Sequence, residues 1–347
     1  MGGVEVAAKT ARDRVDLDCG VSVLFFLADR GAARTGFTDR LGFLSWRTLS
    51  GYPRAFRLIR RSGADVLVFS LWKTVPLLVA ARLLLRARVV FFLHLETPTH
   101  AVDAWLSRVA VRFAHAVWAD SEVTLRARQL PAGKPSRVIS FVTEKMASVD
   151  VVRAEPRFVT WGRLSEQKGL DRAVELIALL AERGVNATFH AYGRDDGERD
   201  SLVALAQRRG VGERVVFPGE VARNDRPSVA ARATFFLQLS RYEGMCMGAV
   251  EGMQLGLVPV ATPVGQMADY VRDGETGVVV DPSDLPRAAD AIIALLARPD
   301  RLAALSSAAR DRWREAPLYA DDLCRAASEL FGTPRIDASR ARPASGE

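Results

Sequence analysis

The sequence predicts an α/β protein of two domains, each built around a parallel sheet. Three observations carry that expectation. The chain has 347 residues, more than a single core of ordinary size needs. Apolar residues make up 49% and charged residues 26%, enough apolar material for two cores. Short apolar runs of strand length alternate with helix-length segments along the chain, the pattern of parallel βαβ units. No tandem repeat is visible.

The elements follow in order. Gly2 and Gly3 precede a segment in which Val4, Ala7, Ala8, Ala11 and Val15 recur at helical spacing. Residues 21–27 (VSVLFFL) read as a strand. Residues 52–61 form a short basic helix, with Phe56 and Ile59 able to face inward and Arg54, Arg57 and Arg61 sharing another side. Those arginines suit either plain solvation or contact with an anionic membrane surface. Strands follow at 65–69, at 89–94 ending on His94, at 116–121 and at 137–142. The most apolar stretch, 75–93, is interrupted by Arg82, Arg86 and Arg88, so it reads as a helix feeding a strand and not as a membrane span. Residues 146–156 form the linker. Strands at 157–162, 187–193, 214–219 and 234–239 and a helix at 171–183 build the second half, and helices at 285–297, 300–314 and 318–331 close it. The last residues, 332–347, are rich in Pro, Ser, Ala and Arg and read as a disordered tail. The expected domains are 1–150 and 151–317, then a terminal helix at 318–331 and the tail.

The most informative stretch is Ser240-Arg-Tyr-Glu-Gly-Met-Cys-Met-Gly-Ala-Val-Glu-Gly-Met-Gln-Leu-Gly256. It follows a buried strand. Glu243 is the last residue before a turn at Gly244, and a helix starting near Met247 raises Glu251 from its first turns. The amides of Gly244, Met245, Cys246 and Met247 would form a helix N-terminus suited to an anion such as a diphosphate. Two glutamates at a helix start can also be a cap and a solvated face.

At these residues a family is recognisable. Glu243 and Glu251 with seven residues between them, followed by Gly256-Leu-Val-Pro-Val-Ala-Thr262, resemble the retaining glycosyltransferases of family 4, which have the GT-B fold. The likeness continues through Pro263-Val-Gly265, Asp273-Gly-Glu-Thr-Gly277 and, upstream, Gly162-Arg-Leu-Ser-Glu-Gln-Lys-Gly169. It is continuous from about 157 to 299 and loose before 150. It implies two Rossmann-like domains facing a cleft, an N-terminal one for the acceptor and a C-terminal one for a nucleotide sugar, with the terminal helix crossing back onto the first domain.

The resemblance also implies roles. Arg163 and Lys168 are similar to the family's phosphate-binding pair, and cations of this kind stabilise a leaving diphosphate. Glu251 would accept from the ribose, and Glu243 would bind a sugar hydroxyl or stabilise an oxocarbenium-like transition state. The Tyr192-Gly193 turn and Phe217 would bound the base. A histidine after the strand at 89–94 lies near the transferred sugar in the family, which points to His94, with His100 as competitor. The incoming hydroxyl would attack from the face the diphosphate leaves. With these donors no metal or other cofactor is required, and no Asp-x-Asp metal motif leads a strand. The family often has Phe-Gly where this chain has Met245-Cys246, and Ala where it has Gly252.

At the N-terminus two alignments are open. In the first, Gly2 and Gly3 are the family's opening glycine loop near donor and acceptor, residues 21–27 are the second strand, and the first strand is missing. In the second, residues 21–27 are the first strand and Gly31–Gly36 is the glycine loop.

Charge is unevenly divided. Residues 1–150 carry 22 Lys and Arg against 13 Asp and Glu, a net of +9, while the remainder nets −2. The first half therefore suits an anionic partner. No stacking aromatic motif supports nucleic acid. Cys19, Cys246 and Cys324 are odd in number and far apart, showing no disulfide framework or metal spacing, which fits a reducing cytoplasm. No signal peptide is visible. The expected protein is a cytoplasmic hexosyltransferase, peripheral on the inner face of the plasma membrane. It would move sugar from a nucleotide diphosphate sugar to a polysaccharide, lipopolysaccharide or lipid-linked glycan acceptor. The alternatives are a sugar-nucleotide epimerase of the same fold and a non-catalytic nucleotide-sugar binder or accessory subunit.

Overall fold

The chain divides into two units, 1–143 with 317–347, and 144–316. The structure, a computed structural model, describes residues 23–27, 36–37, 43–45, 51–94, 97–98, 100–149 and 156–330. The expectations for Gly2, Gly3, the helix at 4–15, Cys19, Gly31 and the tail lie outside the described residues.

The first unit contains strands β1 (Val23–Leu27), β2 (Gly36–Phe37) and β3 (Phe43–Ser45), helix α1 (Tyr52–Ser62) and strand β4 (Val66–Ser70). Helix α2 (Val75–Leu84), strand β5 (Arg88–Leu93), helix α3 (Ala101–Phe113), strand β6 (Ala116–Ala119), helix α4 (Glu122–Ala127) and strand β7 (Ser136–Val138) follow. The sheet order is β2-β3-β1-β4-β5-β6-β7, parallel except for the β2–β3 pair. Strand β4 is buried along its whole length, and β5 after Arg88, as parallel strands covered on both faces must be.

Strand β1 lies inside this sheet, paired in parallel with β3 on one side and β4 on the other. That corrects the alignment that made it a second strand beside a gap. Its backbone groups find ladder partners on both edges, so it holds the place the alternative alignment assigns to it. The last strand of the unit also ends earlier than expected, at Val138. Ile139, Phe141 and Val142 are buried without strand structure.

The second unit opens with β8 (Arg157–Trp161), a single helical turn at Glu166–Lys168, and α5 (Leu170–Glu182). Strand β9 (Thr188–Tyr192), helix α6 (Arg199–Arg208), strand β10 (Val215–Gly219), helix α7 (Arg226–Ala230) and strand β11 (Phe235–Gln238) follow. Helix α8 (Met247–Gln254), strand β12 (Val258–Ala261), helix α9 (Met267–Tyr270), strand β13 (Val278–Val279) and helices α10 (Leu285–Leu296) and α11 (Pro299–Arg314) complete it. The order β10-β9-β8-β11-β12-β13 is parallel throughout. The strand order reverses between β8 and β11, and at such a switch point loops diverge and leave room for a ligand at the carboxyl ends.

Helix α12 (Tyr319–Glu329) groups with the first unit. There its buried Asp322 takes Arg137 Nη2 at 2.7 Å and the Ser140 amide at 2.8 Å, and Tyr319 packs edge-on to Phe141. Cys324 on this helix is disulfide-bonded, a correction to the expectation of unpaired cysteines. Wide separation along the chain says nothing about proximity in space. No helix among the described residues is long and apolar enough to cross a membrane.

Candidate active site in the second unit

The expected site residues of the second unit gather at the carboxyl ends of β8, β9, β11 and β12. The loop after β8 carries Arg163 and Lys168, and the loop after β11 carries Glu243. Lys168 Nζ donates to Glu243 Oε1 at 2.6 Å, with the two side chains only 17% and 6% exposed. Ser240 Oγ donates to the same oxygen at 2.7 Å, and Gln238 Nε2 in turn donates to Ser240 Oγ at 2.6 Å. Thr160 Oγ1 donates to Gln238 Oε1 at 3.0 Å. A chain of hydrogen bonds thus runs from the sheet interior to one oxygen of Glu243. Among the described residues nothing donates to its other oxygen, Oε2. Burial works against the Lys168 ammonium, but the Glu243 charge and the Glu243 hydrogen bond outweigh it and raise its pKa. The lysine stays charged, with further N–H donors to spare.

Arg163 is more open, with 41% of its side chain exposed. Its fork is shared between Asp196 Oδ2 at 2.9 Å and Gln167 Oε1 at 3.2 Å. Partial burial disfavours the Asp196 charge, but hydrogen bonds from Arg163 and Arg194 hold its carboxyl below the usual value.

Three close backbone approaches set the loops. A Cβ on Gly193 would fall 1.5 Å from Gly162 O, one on Gly169 2.0 Å from Leu239 O, and one on Gly265 2.3 Å from Glu243 O. Each loop therefore rests on another loop's main chain, and only glycine fits at the contact.

Helix α8 begins where the sequence places it. Cys246 is its N-cap in a left-handed conformation, with φ 55°. Ala249 N donates to the Cys246 carbonyl at 3.0 Å, while the Met247 and Gly248 amides have no acceptor within the helix, which leaves those two for an anion. Met245 and Cys246 turn their side chains into the core, so they offer the site only backbone. The Met245 carbonyl is held by Tyr270 Oη at 2.6 Å. Burial, with Glu243 adding to it, pushes the Cys246 thiol up to about 12, so it remains a protonated thiol.

Glu251 is seated differently from Glu243. Its side chain is 5% exposed, and it accepts from Trp161 Nε1 at 2.9 Å, Arg223 Nη2 at 2.6 Å and Arg226 Nη1. The Arg226 guanidinium also lies over the Trp161 ring, 5.7 Å from its centroid. The departure at Gly252 has a direct cause. A Cβ there would meet Phe236 Cδ2 at 2.6 Å, and one on Gly248 the Trp161 carbonyl at 2.8 Å, so α8 lies flush on β8 and β11.

Tyr192 and Phe217 are partly buried, and Phe217 packs against the unit's core. Gly193 N donates to Gly219 O at 2.8 Å, which joins the two turns expected to bound a base.

In the first unit, His94 follows β5 and stacks on Phe92 at 4.5 Å between ring centroids. Its Nε2 lies 3.2 Å from Ser70 Oγ, and its Nδ1 is buried with no partner. Burial lowers its pKa to about 3, so the ring is neutral near neutral pH. His100, the competing candidate, caps α3 by accepting from the Asp103 amide at 3.1 Å and packs edge-on to Trp72. A cap explains its place without a ligand. Arg54, Arg57 and Arg61 are exposed on α1, which buries Ala55 and Ile59 on the face expected to turn inward.

Reading the sequence missed Arg223, Arg226, Gln238, Ser240 and Asp196. Asp196 is exposed in the turn after β9 and also holds Arg163. None of the five stands in a spacing pattern that marks it, because each reaches the site through the fold.

The comparisons follow from this frame. Two solved structures share the architecture. HepE of Anabaena, in complex with UDP and glucose, superimposes with a TM-score of 0.73 at 19% identity, over 90% of this chain and all of that one. Sucrose-phosphate synthase of Thermosynechococcus elongatus gives 0.73 at 18% identity, over 89% of each chain. The fold is GT-B, with two parallel-sheet α/β domains.

Residues 142–312, nearly the whole second unit, match the family model of the glycosyl transferases group 1. The chain is 31% identical over 222 residues to the alpha-D-kanosaminyltransferase of Streptomyces kanamyceticus, over 59% of this chain and 57% of that one. It is 31% identical over 184 residues to a GDP-mannose:cellobiosyl-diphosphopolyprenol alpha-mannosyltransferase of Xanthomonas campestris, over 50% and 47%. The chain spans about half the length of the curated relatives it matches. The likeness is thus to glycosyltransferases of GT-B fold.

Proposed function

We propose that the protein is a retaining, metal-independent glycosyltransferase. It moves a hexose from a nucleotide diphosphate sugar to a glycan or lipid-linked acceptor of a cell-surface polysaccharide, lipopolysaccharide or glycolipid. The observation that carries the reading is the Lys168–Glu243 pair at the switch point, with Arg163 on the same loop and the start of α8 beside it. Such a set suits a diphosphate on one side and a sugar on the other.

The roles are those the family resemblance implies, and the geometry of the second unit supports them. Lys168 uses its remaining N–H groups, and Arg163 its fork, to hold the diphosphate as negative charge develops on the leaving oxygen. The first-turn amides of α8 add their dipoles. Glu243 Oε2 accepts from a sugar hydroxyl and faces the positive charge that grows on the ring as the bond to the diphosphate breaks. Glu251 accepts from the ribose. For neutral His94 in the first unit, the family resemblance implies a role beside the sugar or the incoming hydroxyl.

Related proteins named for GDP-mannose and polyprenol-linked acceptors support a lipid-linked acceptor. Contact of the basic first half with an anionic membrane surface through Arg54, Arg57 and Arg61 belongs to the same reading.

The deciding experiment is a thermal-shift screen of UDP-, GDP- and ADP-sugars with EDTA present, followed by turnover of whichever binds. A bound ligand raises the melting temperature by mass action. One nucleotide sugar is expected to stabilise the protein without metal, and its transfer product is expected to keep the anomeric configuration of the donor. No shift with any of them would defeat the reading. An inverted product would defeat the mechanism alone.

A further inference from the structure

Glu251 holds more donors than a simple ribose site needs. Its two oxygens offer about four acceptor positions. Trp161 Nε1 and Arg226 Nη1 occupy Oε2, and Arg223 Nη2 occupies Oε1, which leaves one position open on Oε1. A ribose presents two neighbouring hydroxyls, so it needs two positions to donate from both.

The two arginines are not held alike. Arg226 shares its oxygen with the indole and lies over the Trp161 ring, so leaving would break two contacts at once. Arg223 has a second carboxylate within ion-pair reach. Its Nη1 is 3.7 Å from Glu144 Oε2, too far for a hydrogen bond. Glu144 is 53% exposed and can rearrange at little cost, whereas Glu251 is 5% exposed and fixed by its other partners.

We propose that Arg223 is a positioning residue that moves from Glu251 to Glu144 when the ribose of the donor binds. The proposal rests on the nucleotide-sugar reading above. The diol takes both positions on Oε1, and Arg223 closes the gap to Glu144. Arg226 stays and keeps the Glu251 carboxylate oriented. One short charge-assisted hydrogen bond, to Glu251, is exchanged for another, to Glu144, so the exchange is nearly balanced and responds to a change at either end. Glu144 is the first residue of the second unit, so donor occupancy becomes a change in ion pairing where the chain enters that unit.

The test is calorimetric binding of UDP, GDP and ADP, and of the 2′-deoxy form of whichever binds tightest, to wild type and three variants. Glu144→Gln removes the charge of the second carboxylate and is expected to weaken the ribonucleotide about threefold to tenfold. Arg223→Gln removes the competitor for Oε1 and is expected to strengthen it by about the same factor. The double variant is expected to match Arg223→Gln alone, because Glu144 acts only through Arg223. The 2′-deoxynucleotide, with one hydroxyl fewer, is expected to respond to none of them. Melting curves verify folding, and Arg223→Lys, which keeps the charge, preserves the dependence on Glu144. Additive effects in the double variant, or equal effects on ribo and deoxy forms, would overturn the proposal while leaving the donor reading intact. If none of the three nucleotides binds the wild type, the donor reading fails and the proposal with it.

Discussion

The carboxyl ends of the two parallel sheets are furnished in opposite ways. In the second unit they carry ion pairs: Lys168 with Glu243, Arg163 with Asp196, and two arginines on Glu251. In the first they carry Ser70 and a neutral His94 held among Phe92 and Phe141. The same architecture thus presents fixed charge in one half and an uncharged aromatic seat in the other. On the proposed function the difference is chemical. A departing diphosphate changes charge during the reaction and needs counter-charges already in place. A sugar hydroxyl does not, and a neutral ring can meet it without a desolvated ion.

The largest expected effect breaks the charged side. Lys168→Ala removes the proposed phosphate contact and leaves Glu243, 6% exposed, without its cation. Turnover is expected to fall about tenfold to hundredfold, measured by steady-state kinetics with the accepted donor. An unchanged rate would mean that the pair is only structural.

A smaller effect tests how the charged side is mounted. Gly252→Ala puts a methyl 2.6 Å from the Phe236 ring and is expected to cost about 1–3 kcal/mol in urea unfolding. Phe236→Leu in the same chain is expected to recover part of that. Full stability in the single variant would show that α8 can lift from the sheet.

The smallest effect belongs to the neutral side. The folded pKa of His94, about 3, lies below the ordinary 6.5. Above pH 6.5 the ring is neutral in both states. Below it the unfolded chain takes a proton that the folded one refuses, so stability falls as the pH drops towards 3, by at most roughly 1.4 kcal/mol per pH unit. His94→Gln is expected to flatten that slope in melts between pH 6.5 and 4.5. An identical slope in the variant would show the ring to be hydrated and chargeable.

Much of this was legible in the sequence because it is local. The second half alternates strand and helix with ordinary spacing. Glu243 and Glu251 straddle a turn, and Arg163 and Lys168 share a loop, so neighbours in sequence are neighbours in space. What stayed hidden joins distant segments. Arg223 and Arg226 reach Glu251 from 28 and 25 residues away, and Thr160 reaches Gln238 across 78. The first unit was harder to align because a short apolar strand carries no mark of its place in a sheet. Only its pairing with β3 and β4 showed that Val23–Leu27 lies inside. At Gly252 the sequence displays an oddity, and Phe236 supplies its reason.

The glycine contacts also bear on how such a site can diverge. Gly193 abuts Gly162, Gly169 abuts Leu239, and Gly265 abuts Glu243 and Gly244, each main chain to main chain. No one of these positions can acquire a side chain unless its neighbour's backbone retreats, so point changes there are closed to drift. On the proposed function, the choice of nucleotide or sugar is left to side chains that project from the locked loops, such as Tyr192 and Phe217. The scaffold is inherited as a block, and selectivity varies residue by residue on top of it.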